Sequence, residues 1–469
     1  MKILYIDHHA ALPSSGGDCR AVQLARGWQQ CGDTVTIVAA GEGSRTPCGD
    51  MEETHAEGVT FCRLSAPPPG RGVGGSRKSM QVFLKKLYVS APALAERYRP
   101  ELVIAAGGYP YDFFCAQRTA KLAGAKTVFE LREPWPEWQR ERYAEDDSRL
   151  NRCIADYAMG YALRNADLTV SFLPRGEDYC RDRGQQPARL ITLPAPAPPA
   201  AQPRPLGEDD AAAIHALREK YPTLIAYAGP LTARRLPVLL TGAVGRMGEQ
   251  GVAAVIAGNG GYKQLLRRTV RENGWENVLL TDGMTEGRQR TLYLTADLLY
   301  YGDDRRCDAR YGGYAPFLLR LMQNGKPILT ATHSSENAAL RAGAALSADA
   351  TQQGVEQALE RFLALTGEEK AALGAAADEA LQTTHAAGQV ARDYRSALLR
   401  LWVCGGSACP AGCCGSMPFC CWRCAGCCCG CWPLPAGSST GRPQPPKAVI
   451  PFRRERCGAA SMMRSCARW

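Results

Sequence analysis

The chain has 469 residues, 45% of them hydrophobic and 22% charged, with a formal net charge of +10. That length exceeds one hydrophobic core, so two domains and an extra segment of ordinary soluble composition are expected. The charge is unevenly placed: Val403–Trp469 holds 13 of the 21 cysteines and eight Lys/Arg against the single acid Glu455, leaving the rest at about +3 and giving no reason to invoke nucleic acid.

Met1–Ile6 runs into Asp7, His8 and His9 too soon for a signal-peptide core, and no later stretch before the tail is apolar enough to span a bilayer. A cytoplasmic protein is expected. Strands are read at Lys2–Asp7, Thr34–Ala39, Val59–Leu64, Leu102–Ala106, Thr127–Leu131, Leu168–Leu173 and Leu190–Leu193. They are apolar runs rather than alternating ones, as burial on both faces of a parallel sheet requires. Arg20–Gln30 is a helix with Val22, Leu24, Ala25 and Trp28 on its apolar side.

Pro194–Pro205 is a proline-dense connector, placing a first domain at 1–194 and a linker at 195–208. A second alternating series fills 209–382. Its strands are Leu224–Ala228, Val252–Ala257, Val278–Thr281, Leu298–Tyr301 and Ile328–Thr330, and its helices include Leu236–Met247, Tyr262–Asn273 and Ala315–Asn324. Residues 383–402 carry a last helix, Ala391–Leu401. The fold class is α/β, with two doubly wound Rossmann-like domains facing a cleft. From 403 the Cys/Gly/Trp/Pro vocabulary has no helical or strand period. A shifted reading frame, a disordered tail and a metal module (Cys421/Cys424 and Cys424/Cys427 are C-x-x-C pairs) are the competing accounts.

Doubly wound sheets bind ligands at the carboxyl ends of their strands, where glycine turns meet helix starts. Four such places stand out. Gly16-Gly17 could admit an anion, or be an ordinary strand-to-helix turn; the pattern is not that of a dehydrogenase cofactor site. Phe129–Glu137 ends a strand in clustered charges and a Pro-flanked tryptophan, suiting either a sugar-binding rim with a proton-transfer group or a surface turn with solvated glutamates. Gly229 with Arg234 and Arg235 could clamp a diphosphate or form a solvated basic turn. Gly258-Asn259-Gly260 would allow a nucleotide to approach, or simply turn tightly. Separately, Arg77-Lys78 and Lys85-Lys86 flank Met80, Phe83, Leu84, Leu87 and Tyr88, a segment for anionic lipid or for a packed helix with solvated lysines.

These stretches, in this order over roughly residues 1–400, resemble the retaining glycosyltransferases of family 4, which adopt the GT-B architecture. The likeness is to the bacterial subgroup that builds capsule, O-antigen and exopolysaccharide repeat units. Phe129–Glu137 carries it best, supported by Asn165–Ser171, Ile256–Gly260, Ala296-Asp297 and Leu321–Ile328. The resemblance implies transfer of a sugar from a nucleotide-diphosphate donor on the second domain to an acceptor on the first, commonly a lipid-linked saccharide at the inner membrane face. It implies no metal and no cofactor. Glu133 falls on the catalytic acidic position, Gly229, Arg234, Arg235, Gly258 and Gly260 on the donor side, and Gly16 and Gly17 on the acceptor-side phosphate turn. The departures are in the second domain. Pro230 directly follows Gly229 where the clamp differs, and the family's acidic pair falls on Gly312 and Arg320. The alternative is therefore a degenerate transferase acting as a non-catalytic partner in polysaccharide assembly.

Overall fold

The computed structural model describes residues 1–12, 19–42, 51–67, 73–142 and 148–402. The Cys-rich tail from 403 and the Gly16-Gly17 turn therefore lie outside the described residues. The strands are β1 (Lys2–Ile6), β2 (Thr34–Glu42), β3 (Met51–Ala56), β4 (Val59–Ala66), β5 (Leu102–Ala105), β6 (Lys126–Leu131), β7 (Leu168–Ser171) and β8 (Leu190–Thr192). After the linker come β9 (Thr223–Ala228), β10 (Val252–Ala257), β11 (Val278–Thr281), β12 (Leu298–Asp303), β13 (Ile328–Thr332) and β14 (Ala345–Ala348). They form two sheets, in the orders β3-β4-β2-β1-β5-β6-β7-β8 and β11-β10-β9-β12-β13-β14.

All pairings are parallel except β3 with β4. Sequence reading passed over β3, because Met51-Glu52-Glu53-Thr54-His55-Ala56 has no apolar run and sits at a solvated edge. Its hairpin is set by Glu57 and Gly58, both at positive φ, the turn whose twist matches two antiparallel strands. The central strands β1, β5, β9, β10 and β12 are buried almost throughout, as expected for sheets covered by helices on both faces.

The last helix, Ala387–Leu399, does not stand apart. It packs on the first domain beside helix Arg20–Gln29, where a Cβ on Gly27 would lie 2.5 Å from the Ala391 Cβ. Trp28 Nε1 donates to the Ala391 carbonyl at 2.9 Å, Arg395 pairs with Asp33 at 2.6 Å, and Tyr394 is fully buried in the first core. The chain thus crosses to the second domain and returns. The linker has no regular structure, and Ala197 and Ala201 are held by Gln23 and Arg290 through their carbonyls. Among the described residues no helix is long and apolar enough to cross a membrane, and the seven described cysteines are free thiols.

Candidate functional site

In each sheet the strand order reverses once, between β1 and β5 in the first and between β9 and β12 in the second. The crevices outside these strand ends are where such folds take ligands. At the first, Asp7 follows β1 and Glu130 lies in β6. Arg20, with no exposed side-chain surface, bridges them at 3.1 and 2.9 Å. Tyr5 and Tyr394 donate to Glu130 at 2.8 and 3.1 Å, and Arg132 reaches Asp7 at 3.5 Å and the Ala106 carbonyl at 2.8 Å. The cluster is dry, and its carboxylates are kept by paired charge and hydrogen bonds. Glu130 is therefore an internal support, not part of a solvated turn.

Beside it, four polar atoms are buried without a hydrogen-bond partner: His8 Nδ1, Tyr109 Oη, Asp112 Oδ1 and Trp135 Nε1. The Tyr109 ring lies 6.1 Å from His8 and 5.7 Å from Trp135. Burial pushes the Asp112 carboxyl up to about 8, against the Gly107 N–H that donates to it at 2.7 Å. The same burial lowers His8 to about 3, keeping it neutral. Sequence reading singled out none of these except Trp135. The signal available was their place after three strands, β1, β5 and β6, with aromatic and titratable side chains crowded at their ends.

Glu133 leaves the first domain and meets the second. Arg305 Nη1 lies 3.2 Å from its Oε2. Burial raises the Glu133 carboxyl, and Arg305 and Arg132 oppose that rise. Arg305, 8% exposed, also pairs with Asp303 at 3.2 Å and Asp308 at 2.9 Å. Arg234 and Arg235 converge on the same Asp303, at 3.4 and 3.2 Å, with Arg235 over the Phe317 ring at 5.1 Å. Burial works against the Asp303 charge, but Arg305, Arg234 and Arg235 outweigh it and hold its carboxyl low. The fold thus brings Glu133, Arg234 and Arg235 into one cluster, and adds Asp303, Arg305 and Asp308, which the sequence reading missed. Their one advance signal is the charge run Asp303-Asp304-Arg305-Arg306 directly after a buried strand.

The segment carrying them is gripped by the first domain at further points. Glu141 accepts from the backbone N–H groups of Arg306 (2.8 Å) and Cys307 (3.1 Å). Asp182 accepts from Tyr311 at 2.9 Å and pairs with Arg310 at 2.6 Å.

The glycine turns of the second domain carry a packing requirement of their own. A Cβ on Gly258 would lie 2.0 Å from the Gly229 carbonyl, and one on Gly260 would lie 2.3 Å from that of Leu231. The turns after β9 and β10 press backbone against backbone, so glycine is required there with or without a nucleotide. Gly312, at φ 73°, would place a Cβ 2.7 Å from Pro174 of the first domain, so no acidic side chain fits there. Arg320 pairs with Glu286 and lines a separate cavity with Pro199 and Ala201 of the linker. In helix Val73–Tyr98, Phe83 and Leu87 are fully buried, Lys78 and Lys85 are exposed and Lys86 is half-buried.

Residues 15–196 match the family described as "Glycosyl transferase 4-like domain". Sucrose-phosphate synthase from Thermosynechococcus elongatus superposes with a TM-score of 0.66 at 15% identity, covering 86% of this chain and 99% of that one. The fold is GT-B. An α,α-trehalose-phosphate synthase (UDP-forming) from Burkholderia vietnamiensis gives a TM-score of 0.61 at 16% identity, covering 85% and 98%. Anabaena HepE in complex with UDP-glucose gives 0.56 at 12%, covering 85% and 99%. A comparison with curated proteins finds no match. Within the GT-B frame, the Glu133–Arg305 contact spans the cleft, and Asp303 closes on the arginines of the second wall.

Proposed function

We propose that this chain is a retaining glycosyltransferase moving a sugar from a nucleoside-diphosphate donor on the second domain to a saccharide acceptor on the first. The observation that carries the reading is the convergence of Glu133 from one domain with Arg234, Arg235 and Arg305 from the other. Arg234 and Arg235 would turn from Asp303 to the donor diphosphate, supplying the positive charge that its departure needs without a metal. The C1–O bond to the diphosphate breaks, a C1–O bond to the acceptor hydroxyl forms on the face the diphosphate leaves, and the hydroxyl proton passes to the Glu133 carboxylate. The unpartnered atoms of His8, Tyr109, Asp112 and Trp135 give the acceptor wall hydrogen-bonding groups beside aromatic faces, a combination suited to a sugar.

A lipid-linked acceptor in cell-surface polysaccharide synthesis, met at the cytoplasmic membrane face, is the finer form of this reading. Exposed Tyr88 and Val89 beside Lys85 support that surface contact. Liposome co-sedimentation unchanged by charge reversal at Lys85 and Lys86 would remove it. Titration calorimetry with nucleoside diphosphates and their sugars tests the central claim. Binding that weakens by about tenfold or more in Arg235→Ala is expected. If no nucleotide binds, the second reading holds, a non-catalytic partner in polysaccharide assembly. The engagement of Arg234 and Arg235 by Asp303, and of Arg320 by Glu286, favours that alternative.

A further inference from the structure

β12 ends on Asp303, and both oxygens of its carboxylate are surrounded by donors. Oδ1 accepts from the Arg234 Nε at 3.4 Å, the Arg305 Nε at 3.2 Å and the Arg305 backbone N–H at 3.2 Å. Oδ2 accepts from the Arg235 Nη1 at 3.2 Å and the Tyr301 hydroxyl at 3.1 Å. Guanidinium groups, a backbone N–H and a hydroxyl are the partners that a bound phosphate gathers. Here a side chain of the protein itself holds them.

Neither side can withdraw by moving backbone. The turn Ala233–Arg235, which carries the two arginines, is tied to the end of β12. The Asp304 N–H donates to the Arg234 carbonyl at 2.9 Å, and the Tyr300 hydroxyl donates to the Leu236 carbonyl at 3.0 Å. A Cβ on Gly302 would lie 2.3 Å from the Arg235 carbonyl, so the turn and the strand end are already in contact. Asp303 therefore stays opposite the arginines, and side-chain torsions alone decide what the guanidinium groups face. Arg234 and Arg235 are 37% and 19% exposed against 5% for Asp303, so an anion arriving from solvent meets the arginines before it meets the carboxylate. Burial works against the Asp303 charge, but Arg305, Arg234 and Arg235 outweigh it, so a full negative charge stands beside the same guanidinium groups at neutral pH.

We propose, resting on the glycosyltransferase reading above, that Asp303 is an internal competitor of the donor: its carboxylate takes a phosphate's place on Arg234 and Arg235 and holds the diphosphate site closed until a ligand of higher charge displaces it. A diphosphate brings more negative charge and more acceptor oxygens to the two guanidinium groups than one carboxylate does. Arg305 remains on Asp303 after the exchange, so the displaced carboxylate is not left buried without a cation. The pairing of Asp303 with the two arginines is then the resting state of a donor site and not its loss.

Calorimetry on the full chain with inorganic pyrophosphate and with UDP tests this. Asp303→Asn keeps the shape of the side chain and removes its charge, and should bind pyrophosphate about tenfold or more tighter than the parent. Asp304→Asn removes the same charge one residue further on, from a side chain 45% exposed and paired with His333, and should bind within about twofold of the parent. Tyr301→Phe takes one hydrogen bond from the Asp303 carboxylate and keeps the buried ring, and should tighten binding by about twofold to fivefold. Melting curves show whether each variant is folded; if Asp303→Asn is not, unchanged binding in Tyr301→Phe overturns the proposal in its place. Pyrophosphate binding that is unchanged or weaker in Asp303→Asn, or equally tightened by Asp304→Asn, overturns the role of Asp303 and, where UDP binds the parent, leaves the glycosyltransferase reading intact. No binding of either probe to the parent or to any variant overturns both.

Discussion

Replacing Arg305 with methionine keeps an unbranched side chain of similar volume and removes the charge. In the parent the guanidinium is 8% exposed and lies within 3.2 Å of carboxylates on Glu133, Asp303 and Asp308. Asp303 retains Arg234 and Arg235 in the variant, whereas Glu133 and Asp308 lose their nearest cation. Removing one member of a buried ion pair costs about 3–5 kcal/mol, because the charge left behind is desolvated and unanswered. The deficit should depend on pH. The Asp308 carboxyl is already raised to about 7 and Glu133 is raised too; without Arg305 both rise further above their unfolded values. Such groups stabilise the fold fully below the unfolded pKa, and that contribution is lost as pH rises through the folded one. The variant should therefore fall furthest behind the parent at pH 8, and by roughly half as much at pH 5.5, where the Asp308 carboxyl is neutral. Urea unfolding followed by tryptophan fluorescence measures the deficit; Trp135 and Trp138, two of the eight tryptophans, stack at 4.6 Å close to Glu133 in sequence. A deficit under about 1 kcal/mol, or the same deficit at both pH values, would refute the account of a dry cluster tying the two domains together.

Other expectations follow from single contacts. Gly312→Glu, which restores the family's acid, should destabilise by about 1–3 kcal/mol and leave nucleotide-sugar affinity no tighter, because φ is 73° and Pro174 fills the space; melting and calorimetry check it. Gly258→Ala should lower the denaturation midpoint even without ligand, the Cβ meeting the Gly229 carbonyl at 2.0 Å; an unchanged midpoint would return the glycine to nucleotide binding alone. Asp112→Asn should match the parent in acid and overtake it as pH rises toward 8. The parent's carboxyl, raised to about 8, loses its stabilising contribution over that range, by at most about 1.4 kcal/mol per pH unit. Parallel pH profiles of stability for the two proteins would show the carboxyl to be ordinary.

Much of the architecture could be read from patterns that need no partner. Apolar runs such as Val252–Ala257 and Leu102–Ala105, spaced by amphipathic helices and broken by a proline-dense connector, already specify two parallel sheets, because a run buried on both faces has no other home. β3 escaped because an edge strand can be polar on nearly every residue. The final helix was placed by its period but not by its partner; only the apposed Gly27 and Ala391, and the Trp28 bond, assign it to the first domain.

For the site the division is sharper. The sequence by itself marked Glu133, Arg234 and Arg235 through their places after strands and beside glycines, since strand-end chemistry is local. It also showed that positions 312 and 320 carry no acid. Only the tertiary structure decided what those residues meet: Glu133 with Arg305 across 172 positions, both arginines on Asp303, and Asp308 in the room beside Gly313. Such pairings depend on burial and on the approach of two domains, which sequence spacing does not encode. Position 312, which carries no acid, and Asp308, which does, are four positions apart in the chain. Where the turn between them directs a carboxylate, beside Gly313 and onto Arg305, is a property of the fold.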